Sequence, residues 1–264
     1  MSQKIKDHIK KLLSEGKIKG FLGLREEKGN VMPHLFCNPQ ELEFLSLGEK
    51  EKPGDARYPL DQIMIQLAMA YPQESFAVLV RGCDERGLKE LFKWKQLNQD
   101  KVIPIGLGCP DDLAKACECE KPFPDCLVDG PKGVKAESKK VARIDSMDLD
   151  ARLGYWGAEF DRCIKCFGCR NVCPMCFCNE CTLEEDKLIG TGEVPPANPT
   201  FHLARAIHMV GRCIDCGLCE EACPGDIPLR TLYKKVAEIV EKEFGYKTGF
   251  SVEDKSPFHI IEVK

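Results

Sequence analysis

The sequence predicts an α/β (α+β) first half followed by an all-helical second half, and three observations carry that division. Between residues 61 and 108, apolar runs of strand length alternate with helical periodicity. The second half carries one cysteine spacing twice: Cys163-x-x-Cys166-x-x-Cys169-x-x-x-Cys173-Pro174 and Cys213-x-x-Cys216-x-x-Cys219-x-x-x-Cys223-Pro224. The segments around those two runs read as helices.

The elements follow in order. Asp61 to Tyr71 reads as a helix stopped by Pro72. Phe76 to Val80 is a short apolar run of the buried-strand type and ends at Arg81-Gly82-Cys83. Asp84 is placed to cap a helix through about Leu97, because Leu88, Leu91 and Phe92 recur at helical spacing. Val102 to Gly108 then reads as a second strand, ending at Cys109-Pro110. The short connections predict a parallel strand–helix–strand unit. From about Asp129 to Ala151 the chain is rich in Gly, Lys and Asp with weak periodicity, the pattern of a linker or wrapping segment.

Asp148 to Asp161 reads as a helix leading into the first cysteine run, and Thr200 to Val210 as one following a Gly/Pro-rich loop at Gly190 to Pro199. Leu229 to Phe244 is amphipathic, with Leu232, Val236, Ile239 and Val240 on one face. Its Lys/Glu-rich face is a solvated surface or a docking face. Beyond Gly245 the chain reads as extended, lying across a partner or ending frayed. The expected domains are 1–128 (α/β, with room for a further cluster site), 129–160 (linker), 161–245 (helical) and 246–264 (tail).

The chemistry lies in the 17 cysteines. Each four-cysteine run has the bacterial ferredoxin spacing, in which three thiolates hold one [4Fe-4S] cubane and the fourth crosses to the other. By that rule Cys163, Cys166, Cys169 and Cys223 hold one cluster, and Cys213, Cys216, Cys219 and Cys173 hold the other. Paired Cys-x-x-Cys motifs also bind zinc, but the four-cysteine run closing on Cys-Pro argues against it. Cys176, Cys178 and Cys181 follow the first run at once, either as most of a further cluster's ligands or as packing residues. Cys83 and Cys109 stand at the carboxyl ends of the two strands, the edge where ligands sit in open α/β sheets. They are cluster or redox-site residues or small buried apolar ones, and Cys117 and Cys119 follow closely. His202 and His208 read as packing or surface residues before proton carriers. Lys165, Arg170 and Arg212, beside ligand cysteines, are placed to raise a cluster's potential by offsetting its negative charge.

Composition narrows the class. A chain of 264 residues with a formal charge of −4 gives no reason to expect nucleic acid. The N-terminus has no apolar core of a secretory leader, and no stretch approaches the roughly 18 apolar residues of a membrane span. Reduced thiols on metal, in the cytoplasm, are the expectation.

Two resemblances extend this. Residues from about Asp161 to Gly245, with the cysteine runs separated by a helix, resemble the helical ferredoxin module of heterodisulfide reductase and succinate dehydrogenase iron–sulfur subunits. The resemblance implies clusters set between helices, as part of a wire through a multi-subunit complex. Leu79-Val-Arg-Gly-Cys83-Asp-Glu-Arg-Gly-Leu88 and Ile105-Gly-Leu-Gly-Cys109 resemble the beta-subunit family of deazaflavin-dependent hydrogenases and formate dehydrogenases. There these elements lie near a cubane and an FAD that exchanges hydride with the deazaflavin. Carried across, Cys83 and Cys109 become cluster ligands, with Cys117 or Cys119 and Cys37 completing the set. No Gly-x-Gly-x-x-Gly fingerprint is present, which weighs against a bound FAD.

Three functions follow: a relay subunit passing single electrons between a catalytic subunit (formate dehydrogenase-, hydrogenase- or heterodisulfide-reductase-like) and another redox partner; a flavoprotein transferring hydride to a deazaflavin or nicotinamide; and a thiol/disulfide reductase working through Cys83 and Cys109.

Overall fold

Short apolar runs buried on both faces make the first half a mostly parallel sheet. The computed structural model describes residues 3–48, 56–190, 192–197 and 199–258. It divides into two units, residues 1–137 with 249–253, and residues 138–248 with 254–262. Among the described residues no helix is long and apolar enough to cross a membrane.

In the first unit, helix α1 (Gln3–Ser14) buries Ile5, Ile9 and Leu12. Strands β1 (Gly20–Glu27) and β2 (Asn30–Phe36) form an antiparallel hairpin. Its two-residue turn, Lys28-Gly29, has positive φ at both positions, the twist that suits a tight hairpin. After β3 (Leu45–Ser46) come α2 (Leu60–Ala70), β4 (Phe76–Val80), α3 (Gly82–Lys93), β5 (Val102–Leu107), α4 (Asp111–Ala116) and β6 (Leu127–Asp129). The sheet order is β2-β1-β4-β5-β6, with β3 also on β1. The β1–β4, β4–β5 and β5–β6 pairs are all parallel. The expected strand–helix–strand unit is present as β4-α3-β5.

Helix α3 differs from expectation in its start. Asp84 does not precede the helix but sits in its first turn, where Oδ2 accepts the Arg81 N–H at 2.8 Å. The helix begins at Gly82 because that residue has no Cβ: one there would stand 2.3 Å from the Lys121 carbonyl oxygen. Cys83 is therefore carried on the helix. The segment after α4 is anchored by buried Glu85 of α3, which accepts the N–H groups of Asp125 (2.8 Å) and Cys126 (3.0 Å). Gly249, from the segment read as a tail, donates its N–H to buried Glu90 of α3 at 2.6 Å. Residues 259–264 of that tail lie outside the described residues.

The second unit is helical. It comprises α5 (Lys139–Asp145), α6 (Leu149–Phe160), α7 (Gly168–Asn171), α8 (Thr200–His208), α9 (Leu218–Glu221) and α10 (Leu229–Phe244). Helix α5 lies inside the segment read as a linker; it forms because Val141 and Ile144 bury one face, and Asp145 pairs with Lys235 of α10 at 2.6 Å. Asp148 caps α6 by accepting the Ala151 N–H at 2.8 Å.

One buried group sets a pH dependence. Asp61, 2% exposed, has no partner for either carboxylate oxygen. Burial, then the charge of Asp84, pushes its carboxyl well above the ordinary 3.8. A carboxyl with a raised folded-state pKa contributes stability below its unfolded value and loses it as pH rises above that value toward the folded one. Asp61→Asn is therefore expected to raise Tm at pH 7, with the gain shrinking toward pH 4. Thermal unfolding across that range checks it; a lower Tm at pH 7 contradicts it.

Candidate metal centres

The two cysteine runs fold as one motif used twice. Each C-x-x-C-x-x-C stretch turns through two left-handed residues, Lys165 (φ 53°) and Phe167 (φ 58°) in the first, Asp215 (φ 55°) and Gly217 (φ 82°) in the second. Each then enters a one-turn helix, α7 or α9, that carries the third cysteine. Left-handed residues cost non-glycine side chains strain, and here they turn thiols and amides inward. The Lys165 N–H points at Cys163 Sγ and the Gly168 N–H at Cys166 Sγ, both at 3.4 Å.

The runs meet backbone to backbone. A Cβ on Gly168 would stand 3.0 Å from the Ala222 carbonyl oxygen, and one on Gly225 only 2.8 Å from that of Arg162. Arg162 also donates to the Asp226 carbonyl at 2.9 Å. This approach puts the fourth cysteine of each run against the other run. Cys163, Cys166, Cys169 and Cys223 line one small cavity, together with Phe201 and His202. Cys173, Cys213, Cys216 and Cys219 line a second, together with Arg205 and Tyr233. The crosswise sets expected from the spacing are the sets the fold gathers. Among the described residues no three His, Cys, Asp or Glu side chains converge as ligands of one ion. A cubane takes one thiolate on each iron, so its ligands stand apart around the cluster.

The electrostatics of the cavities suit an iron–sulfur guest whose irons are positive and whose thiolate-ligated whole is anionic. Burial pushes the Cys213 thiol up to about 12 and raises Cys163, Cys169 and Cys219 as well, so without a positive centre these sulfurs stay protonated. Bound iron ions are that centre. Each cavity also presents a buried polar group without a partner: both ring nitrogens of His202 at the first, the Tyr233 hydroxyl at the second. Sulfides of a cluster would accept from the Tyr233 hydroxyl and from the one ring nitrogen of neutral His202 that carries its proton. The donor set, its number and these orphaned groups fit a [4Fe-4S] cluster in each cavity.

The comparisons point the same way. Residues 162–228 match a family described as a 4Fe-4S dicluster domain. The chain is 44% identical over 216 residues to F420-dependent formate dehydrogenase subunit beta of Methanocaldococcus jannaschii, covering 82% of this chain and 53% of that protein. The chain is similar to this beta-type iron–sulfur subunit family. F420-dependent formate dehydrogenase 1 subunit beta of Methanococcus maripaludis is 37% identical over 137 residues, 48% of this chain and 35% of that protein. The chain thus spans about half the length of the first relative and about a third of the second.

The remaining cysteines of this iron–sulfur subunit are divided among several places. Cys176 lies beside the second cavity, where a hydrogen bond from Cys173, working against burial, helps bring its thiol down to about 5. Cys181 packs on the cluster of Leu183, Ile189 and Phe201, and Cys178 is exposed. His202, stacked on Phe160 with ring centroids 4.4 Å apart, is a buried packing residue, whereas His208 is exposed. Burial, then the charge of Arg205, pushes His202 down to about 4. Arg212 sits over the Phe177 ring at 4.5 Å, Arg170 pairs with Glu184 at 2.6 Å, and Lys165 Nζ donates to the Gly190 carbonyl at 2.5 Å.

In the first unit Cys83, Cys109 and Cys119 gather at the carboxyl edge of the sheet, close enough for Cys83 to feel the charge of Cys109, and Cys109 that of Cys119. Arg57 approaches Cys83 Sγ at 4.0 Å and Arg81 approaches Cys109 Sγ at 3.7 Å. Cys117, just past α4, is partly buried. Cys37 does not join them. It stands opposite Gly20, which pairs with Phe76 at the amino end of β4. That end is roughly 16 Å from Cys83 at about 3.3 Å per residue. Sequence reasoning passed over Cys126, which lies just before β6 beside Glu85; burial, then Glu85, pushes its thiol up to about 12.

The close approach of the runs makes a test. Gly225→Ala forces the Arg162 carbonyl away and is expected to cost about 1–3 kcal/mol, the range for overpacking, with faster loss of iron to a chelator. Chemical denaturation and iron release on the holoprotein check both. Unchanged values would mean that the runs do not need this contact.

Proposed function

We propose that this chain relays single electrons through two [4Fe-4S] clusters, one held by Cys163, Cys166, Cys169 and Cys223 and the other by Cys213, Cys216, Cys219 and Cys173. The observation that carries the reading is the crosswise lining of the two cavities by thiols from both runs. When bound, such clusters accept and release one electron each without moving heavy atoms. The chain's own residues do the rest. The thiols fix each site, the left-handed turns aim backbone N–H groups at sulfur, and Phe160, Phe201 and Tyr233 exclude water. With no proton or group to transfer, this unit needs no substrate pocket.

In this reading the protein works in the cytoplasm within a multi-subunit complex. It stands between a catalytic subunit of the formate dehydrogenase, hydrogenase or heterodisulfide reductase type and another redox partner. The naming of the relatives as formate dehydrogenase subunits supports the first of these. A second reading draws on their F420-dependent naming: the first unit, with Arg57 and Arg81 beside Cys83 and Cys109, would hold a third cluster and an FAD that exchanges hydride with a deazaflavin or nicotinamide. Flavin extracted from purified protein at about one per chain would favour it. Thiol/disulfide chemistry is the weakest of the three. Burial, then Asp84, raises the Cys83 thiol well above its ordinary value, and burial raises Cys109, against the needs of a nucleophile.

Iron and acid-labile sulfide on anaerobically purified protein test the relay. At least about eight irons per chain are expected, at four per cubane, rising to about twelve if Cys83, Cys109 and Cys119 hold a further cluster. Cys173→Ser and Cys223→Ser should each impair a different cluster, and the double variant both. Fewer than eight irons in the unaltered protein would overturn the proposal.

A further inference from the structure

The two cavities face different amounts of water, and the more enclosed one contains a buried cation. At the first site Cys166 is exposed and Cys163 and Cys223 are partly so. The cations lining it are Arg162, half-exposed and paired with Glu159, and Lys165, which donates to a backbone carbonyl. Such surface charges are screened by solvent.

At the second site Cys173, Cys216 and Cys219 are buried. Burial in a low dielectric disfavours adding an electron to an already anionic cluster. Arg205 of α8, 2% exposed, lines this cavity. Its Nη1 donates to Cys176 Sγ at 3.2 Å and its Nη2 to the Cys169 carbonyl at 2.7 Å, while Nε has no partner. The guanidinium lies 5.9 Å from the ring centre of Tyr233 on α10, also 2% exposed and with its hydroxyl unpartnered. Among the described residues Arg205 has no carboxylate partner. The other arginine at this cavity, Arg230, pairs with Asp215 at 2.7 Å, a carboxylate that Lys234 shares at 3.1 Å. A buried, uncompensated guanidinium is costly unless something anionic answers it, and the cavity is where that anion belongs.

We propose that Arg205 and Tyr233 are positioning residues for the cluster held by Cys173, Cys213, Cys216 and Cys219, supplying the charge and hydrogen bonds that water supplies at the open site, and so keeping the enclosed cluster reducible. The pair acts through space on the cluster and its sulfurs and takes no part in ligation. Arg205 also spans the two cavities, since its two Nη groups tie Cys169 of one to Cys176 beside the other.

The inference rests on the two-cluster reading, and redox titration of the holoprotein followed by electron paramagnetic resonance separates the two. Arg205→Met is expected to move one wave to lower potential by at least a tenfold change in its reduction equilibrium, 59 mV for one electron. Tyr233→Phe moves the same wave in the same direction by less. Arg205→Lys leaves it nearer the unaltered value, and Cys173→Ser, which changes a ligand of that cluster, perturbs that same wave. The wave of the first cluster, which His202→Phe should perturb instead, shifts much less with either Arg205→Met or Tyr233→Phe. Should Arg205→Met fail to hold its clusters, the single-atom change in Tyr233→Phe decides. Two waves that neither substitution lowers, or that both shift equally, overturn the inference and leave the relay standing. Absence of two waves in the unaltered protein removes the relay itself.

Discussion

The structure of the second unit depends on one constraint: each cysteine run supplies its fourth thiol to the site built by the other. Cys173 and Cys223 reach across only if the two runs touch along their backbones. That contact needs small residues where the chains meet, and Gly168 and Gly225 stand there against the Ala222 and Arg162 carbonyls. Neither run completes a four-thiol set alone. The left-handed residues at Lys165, Phe167, Asp215 and Gly217 are strain that the crossed arrangement stabilises. Helices α8 and α10 supply the walls, with Phe201 and His202 at one cavity and Arg205 and Tyr233 reaching the other.

Burial and charge oppose one another throughout this unit. Enclosing the thiols raises their pKa values and excludes water, which separates the centres from solvent but leaves buried sulfurs protonated unless metal is present. The unpartnered His202 nitrogens and Tyr233 hydroxyl are the same tension seen from the donor side. Such groups are costly in an apolar interior. They make sense as partners of the anionic, sulfide-bearing clusters that the family match to residues 162–228 describes. In the proposed relay function and stability are coupled, because bound clusters would partner interior groups that the folded unit leaves unpaired.

The cysteine runs were legible because a cluster motif is local: spacing alone determines which thiols share a turn. The crosswise pairing followed from the same rule. Phe76–Val80 and Leu229–Phe244 were legible because continuous burial and a clean apolar face leave a strong pattern. Helix α1 and the hairpin of β1 and β2 were not read. The central strand β1 is buried along Gly20–Leu24 without alternation, its turn uses Lys28 where asparagine or aspartate is usual, and Pro33 interrupts β2, which only an edge strand tolerates. Helix α5 was hidden among lysines, its two buried residues too few to set a period. The grouping of Cys83 with Cys109 was legible from the two parallel strand ends, but the separation of Cys37 from them depends on which end of the sheet each strand presents. That is topology, which a single sequence does not display. The roles of Arg205 and Tyr233 are equally non-local, since the two residues stand 28 positions apart on different helices.

The most direct test of the account is the magnetic interaction between the two clusters in the fully reduced holoprotein. Sites that share ligands across paired runs, with Arg205 spanning from Cys169 to Cys176, must lie close together. The account predicts an electron paramagnetic resonance spectrum broadened and split by spin coupling, collapsing to a simple signal in partly reduced samples. A fully reduced spectrum that is the plain sum of two non-interacting centres, or that shows one cluster alone in the second unit, would contradict it.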